Sequence, residues 1–258
     1  LLFHDPRIDP GAFALVGMAT FYGGLAHVPL ASLVNYSVGQ TRSGAVSTAM
    51  GVSGSVCVFT SAETDLLIDV NGAFPSGSFD PVTPARLFES RSGVGLVTVD
   101  GLFEGGGRLG ARSVTRVKVV GRGGVPSGVV AVSLNVTAVS PSGAGFVTVF
   151  GCGSVPTASN LNFGLGSTVP NAVVAKVGVG GRVCVFVSNA THLVVDVNGF
   201  FPAGAEFTAL SPARLLETRA GQVPTVDGVS SGTGVAAAGS VTELLVAGRG
   251  GVPAIACV

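Results

Sequence analysis

Residues 181–202 read GRVCVFVSNATHLVVDVNGFFP. Val, Phe and Leu alternate with small or polar residues over 181–187 and again over 191–197, and the second run stops at Asn198-Gly199. Alternation of period two over short runs bounded by turn residues predicts strands. Asn-Gly is read as a tight turn that uses the positive φ open to glycine. The same pattern gives strands at 112–120, 129–138, 145–151, 157–163 and 171–178. With 40 Gly in 258 residues, a helical period is hard to sustain anywhere. Seven or eight strands in roughly 125 residues predict an all-β chain built of β-sandwich, jelly-roll-like units.

The decisive stretch also occurs twice. Residues 55–59 and 64–75 read SVCVF and TDLLIDVNGAFP, against RVCVF at 182–186 and THLVVDVNGFFP at 191–202. Asp69 and Asp196 stand 127 positions apart, as do Cys57 and Cys184. PLASLVNYSVGQT (29–41) matches PTASNLNFGLGST (156–168) at that offset. A second set of matches lies elsewhere: TPARLFESR (83–91) with SPARLLETR (211–219), and VTRVKVVGRGGVP (114–126) with VTELLVAGRGGVP (241–253). The two sets do not overlap. Residues 79–203 therefore read as one complete unit, 1–78 as the C-terminal half of a unit and 204–258 as the N-terminal half. The chain is two repeat units of about 127 residues, one whole and one split between the termini.

The combination PARLLETR, VAGRGGVP, LNVT, ASNLNF, VCVF and LVVDVNGFFP resembles a repeat domain common in secreted and cell-surface proteins of actinobacteria, where it stands in tandem or appended to secreted hydrolases. The resemblance covers 79–203 and both half units. It implies an extracellular β-domain of structural or adhesive role, and it supplies no catalytic residue.

The half units predict an assembly. VVAVSLNVTAV (129–139), a turn at 140–143 and AGFVTVFGC (144–152) read as one β-hairpin, and the split unit is cut inside its equivalent. Open edges of that kind are completed by another segment. The two ends of one chain can meet as in a circular permutant. The C-terminal half of one chain can instead complete the N-terminal half of the next, and a heterologous contact of that kind grows a filament unless it closes. Or the chain is a window on a longer tandem array, in keeping with a first residue Leu and a first Met at Met18. The candidate assembly strands are Leu1, Leu2 and Phe3 at one end and Ala254, Ile255, Ala256, Cys257 and Val258 at the other.

Composition excludes several classes of function. Lys plus Arg equals Asp plus Glu at 14, and charged residues make up 11% of the chain. Such a chain lacks the basic footprint of a nucleic-acid or anionic-membrane binder. No apolar run approaches the roughly 18 residues of a membrane helix. Trp is absent, which argues against aromatic sugar platforms. GRGGVP lacks the Lys-Ser/Thr and following helix of a phosphate loop and reads as a turn. Acidic residues are too sparse for calcium at Asp-Val-Asn-Gly. The sequons at Asn35, Asn135 and Asn189 read as chance. The histidines His4, His27 and His192 do not recur and read as isolated surface residues. No nucleophile–base set sits at a repeated position, so no reaction, cofactor or metal is expected.

What does recur is charge. Arg86, Glu89 and Arg91 return as Arg214, Glu217 and Arg219, Asp69 as Asp196, and Arg122 as Arg249. In a chain so poor in charge these positions predict structural ion pairs that hold loops against the sheets. A sharper alternative is a carboxylate or sugar clamp made by paired arginines.

Four cysteines and no CxxC pair point to disulfides and an oxidising compartment. Cys152 and Cys184 are the pair expected inside the whole unit. Cys57 matches Cys184, but the position matching Cys152 is Leu25. In the hairpin register Val130, which Cys257 matches, lies opposite Cys152, and this predicts Cys57–Cys257 as the bond joining the half units. The sequence reading is thus an extracellular structural protein, a subunit of a cell-surface filament or sheath that associates with itself head-to-tail by strand complementation and disulfides. The alternative is an adhesive or glycan-binding module of a larger secreted protein.

Overall fold

The computed structural model describes residues 43–48, 54–56, 58, 60 and 62–254. Eight strands form within 80–202: β1 (Asp80–Glu89), β2 (Ser113–Lys118), β3 (Val129–Val139), β4 (Gly145–Phe150), β5 (Leu161–Phe163), β6 (Thr168–Lys176), β7 (Arg182–Val187) and β8 (His192–Pro202). They make two four-stranded antiparallel sheets, ordered β1-β8-β3-β6 and β2-β7-β4-β5. The fold is all-β, with no helix among the described residues.

Period-two alternation places one face of each strand in a shared core. Val183, Val185 and Val187 of β7, Leu193, Val195 and Val197 of β8, and Val132, Leu134, Val136 and Ala138 of β3 join a single apolar cluster. Val147 and Val149 of β4 and Val117 of β2, which lie with β7 in the second sheet, belong to the same cluster. The central strands β3 and β8 are buried on their other face too, through Asn135, Thr137, Asp196 and Asn198.

The structure corrects the expected hairpin of 129–139 with 144–152. Both edges of β3 are occupied, with Asn135 opposite Ala172 of β6 on one side and Asp196 of β8 on the other. β4 turns instead to β5 and β7 in the second sheet. The chain changes sheets after β3, at Ser140, whose φ is 49°. Val130 is therefore not a cross-strand neighbour of Cys152, and the register argument for Cys57–Cys257 falls. Those two cysteines lie outside the described residues, as do Leu1, Leu2, Phe3, Ile255, Ala256 and Val258.

Asn198-Gly199 is also not a turn, because β8 continues through it to Pro202. Gly199 is needed for space: a Cβ there would lie 2.3 Å from the Phe79 ring and 2.8 Å from the Asp80 carbonyl oxygen. The turn glycines Gly123 and Gly124 of GRGGVP do adopt positive φ, as do Gly180 and Gly181 ahead of β7. The sequence pattern missed β1 because Pro81 and Pro84 interrupt it. β1 is an edge strand with register shifts between Pro81 and Ala85 and between Arg86 and Phe88, where a missing N–H is tolerated. The run at 157–163 shortens to β5.

The described parts of the half units carry no strand. Residues 62–75 are exposed, Leu67 to 90% and Val70 to 87%. Residues 204–254 hold turns, one isolated bridge between Glu217 and Ser231, and a set of side-chain contacts like those around Glu89 and Arg122.

Candidate functional site

Charged side chains collect where β1 meets β8. Arg86 and Asp196 are register partners on these strands, and Arg86 Nε donates to Asp196 Oδ1 at 2.9 Å. Arg86 Nη1 donates to Glu89 Oε2 at 3.0 Å. Arg91 grips the same carboxylate with Nε to Oε1 at 2.8 Å and Nη2 to Oε2 at 2.7 Å, and its backbone N–H adds a third bond. Glu89 is fully buried, so these bonds replace its water.

Burial pushes the Asp196 carboxyl above the usual carboxylate range, against the pull of Arg86. Among the described residues its Oδ2 is buried without a hydrogen-bond partner, as is the amide of Asn135 opposite it. Burial also weighs against the charge on Arg86, but Asp196 and Glu89 outweigh it and its pKa rises.

His192 is not an isolated surface residue. Its Nδ1 shares a hydrogen bond of 3.1 Å with Ser90 Oγ, which accepts from the Leu193 backbone N–H at 2.9 Å. Burial, then the nearby Arg108 and Arg91, lower its pKa. Ser90 is fully buried, so this pair closes a strand end and offers no exposed nucleophile.

A second cluster is centred on Arg122. Its Nε and Nη2 donate in parallel to Asp100 Oδ2 and Oδ1, each at 2.6 Å. Nη1 caps the Leu87 and Lys118 carbonyls at 2.8 and 3.0 Å, and the guanidinium lies 4.9 Å from the Phe103 ring centroid. One buried arginine thereby ties the loop at 100–103 to β1 and to the end of β2. The Arg122 hydrogen bonds hold the Asp100 carboxyl down at about 2. Thr98 Oγ1 closes the loop on the Leu102 carbonyl at 2.7 Å.

The same clip stands in the half unit. Arg249 donates to Asp227 Oδ2 at 2.6 Å and Oδ1 at 2.9 Å, and to the carbonyls of Leu215, Leu245 and Val229 at 2.8, 2.8 and 3.0 Å. Thr225 Oγ1 reaches the Val229 carbonyl at 2.6 Å. Glu217 accepts from Arg214 and Arg219 as Glu89 does from Arg86 and Arg91. The Arg219 hydrogen bonds bring its carboxyl to about 2. Asp100 and Asp227 were missed as partners, although Thr-Val-Asp-Gly recurs at 98–101 and 225–228 and carries the signal.

The ion-pair correspondence lacks one carboxylate, and Phe103 and Glu104 are replaced by Ser230 and Ser231. Among the described residues Arg214 has Glu217 but no counterpart of Asp196. Asp69, placed in an ion pair by the sequence reading, is exposed and makes none among the described residues. The stretch around it forms no strand, so no register brings an arginine opposite.

Cys152 and Cys184 form a disulfide with Cα atoms 4.9 Å apart, at the end of β4 where Phe150 stands opposite Cys184. Ala254, expected in an assembly strand, is exposed and outside any strand. An open cavity of about 410 Å³ lies between the loop after β4 and the half unit, lined by Cys152, Pro156, Pro212, Arg214 and Val226 among others. Among the described residues no group of three or more His, Cys, Asp or Glu side chains is placed to hold a metal ion, and no helix is long and apolar enough to cross a membrane.

No protein-family model matches the chain, and comparison with curated proteins gives no match.

Proposed function

We propose that this is an extracellular structural repeat protein, made of β-sandwich units of which one is whole and one is split, and that it works by completing half units into cell-surface material. No reaction is assigned to it. The observation that carries the reading is a mismatch between equivalent residues: the arginine–aspartate clip recurs at Arg122 and Arg249, yet the strip 64–75 is exposed where its equivalent is buried in β8. Exposed apolar strips of this kind mark interaction surfaces. Completion between chains gives a head-to-tail filament or sheath, and completion within a chain gives a closed two-unit block. The Cys152–Cys184 disulfide suits an oxidising, extracellular setting.

The test is hydrogen exchange of the full chain at 64–75. Slow exchange there supports completion of the half units. Exchange at the rate of an open chain counts against it. A second reading, an adhesive or glycan-binding module, draws on the cavity beside Arg214. Glycan titration that perturbs Pro212, Arg214 and Val226 would favour it.

A further inference from the structure

We infer that residues 64–75 and 208–219 of the same chain, unpaired in the described arrangement, close on each other as antiparallel neighbours, with Asp69 opposite Arg214, so that the split unit closes within one molecule. The inference rests on the reading that the half units complete one another, and it names the partner.

The whole unit supplies the template. β1 and β8 pair with Ala85 opposite Val197, Arg86 opposite Asp196, Phe88 opposite Val195 and Glu89 opposite Val194. Carried over by the repeat, these become Ala213 with Val70, Arg214 with Asp69, Leu216 with Ile68 and Glu217 with Leu67. Val194, Val195 and Val197 are at most 3% exposed, whereas Leu67, Ile68 and Val70 are 90%, 62% and 87% exposed. The template also places a carboxylate beside Arg214, where Arg86 already has Asp196. Both missing pieces, the apolar strip and the acid, therefore lie on one segment of this chain.

The phenylalanines decide between one molecule and two. Because Asp80 and Phe200 are register partners, the chain enters β1 and leaves β8 at the same end of the sheet. Phe74 and Phe207 both pack on Phe201 there, with ring centroids 5.4 and 4.1 Å away, and Phe79 joins them at 5.1 Å. Segment 64–75 therefore leads into this cluster, and 208–219 leads out of it, from one point and in opposite chain directions. That is the arrangement an antiparallel pair requires. In the carried-over register the first pair beside the cluster is Ala73 with Thr208, each adjacent to one of the clustered phenylalanines. The cluster does the work of a short hairpin connection, and holding two segments by a short tether raises their effective concentration far above that of a second molecule.

The experiment uses the full chain and charge reversal. Asp69→Arg and Arg214→Asp are made singly and together, and each protein is measured by light scattering and by hydrogen exchange at 64–75, with β3 and β8 as the internal folded reference. The expected result is a monomer of 25.4 kDa whose 64–75 amides are protected. Each single reversal should lower that protection at least tenfold, and the double reversal in one chain should recover part of it, the remainder being lost with the Arg214–Glu217 contact. Oligomers whose protection returns when the two single variants are mixed would overturn closure within the chain while keeping half-unit completion. Unprotected 64–75 amides in every form would overturn both.

Discussion

Arg122 and Asp100 meet through two parallel hydrogen bonds of 2.6 Å, one from Nε and one from Nη2. The contact holds the Asp100 carboxyl at about 2, below its ordinary 3.8. A carboxyl depressed on folding stabilises above its unfolded pKa, and that stability is lost as pH falls through the folded one. Denaturation midpoints should therefore fall between about pH 4 and pH 2, by about 1 kcal/mol from this group once screening at a third-exposed side chain is allowed for. Asp100→Asn should be less stable at pH 7 and show a shallower decline over that window in chemical denaturation.

Arg86 stands between two buried carboxylates, so its loss and the loss of Asp196 should differ in size. Arg86→Met leaves Asp196 unpaired and Glu89 with Arg91 alone, and should cost about 3–5 kcal/mol at pH 7. Asp196→Asn removes a charge that burial disfavours and keeps an acceptor for Arg86, and should cost under about 1 kcal/mol. The folded pKa of Asp196 is raised. Ionising Asp196 therefore costs the folded state stability at neutral pH, and the cost is relieved as the carboxyl is protonated, so the Arg86→Met penalty should be smaller at pH 4 than at pH 7. Urea unfolding at the two pH values checks both statements.

Gly199 and Gly164 are separated by what a methyl group would meet. At Gly199 it would meet the Phe79 ring and the Asp80 carbonyl at 2.3 and 2.8 Å, whereas at Gly164 nothing lies within 4 Å and φ is not positive. Gly199→Ala should destabilise by about 1–3 kcal/mol. Gly164→Ala should be neutral or stabilising by about 0.4–1 kcal/mol, through the unfolded state. Paired thermal melts of the two variants give the comparison directly.

The Cys152–Cys184 bond spans 32 positions. Reduction should remove about 2–4 kcal/mol, by releasing the unfolded chain from a closed loop. The Cys152→Ala, Cys184→Ala double variant without reductant should show the same loss in its melting temperature. Equal melting temperatures with and without reductant would mean that the bond contributes nothing.

The all-β character and most strand positions were legible in the sequence because alternation is a local property of the chain. The run of alternating residues at 181–187 sets the inward face of β7 by itself, and the 127-residue offset places Arg249 where Arg122 stands. Which strands become neighbours was not legible. Proximity in sequence suggested that 129–139 pairs with 144–152, but a strand has only two edges, and more distant segments, β6 and β8, fill both edges of β3. β1 escaped notice because its prolines break the local pattern and are tolerated only at a sheet edge, a position that exists only in the assembled sheet. Gly199 looked like a turn residue and proved to be a close approach to Phe79, a contact between residues 120 positions apart. The partners of Arg86 and Arg122 were likewise fixed by tertiary structure, since a guanidinium pairs with whichever carboxylate the strand register brings within reach.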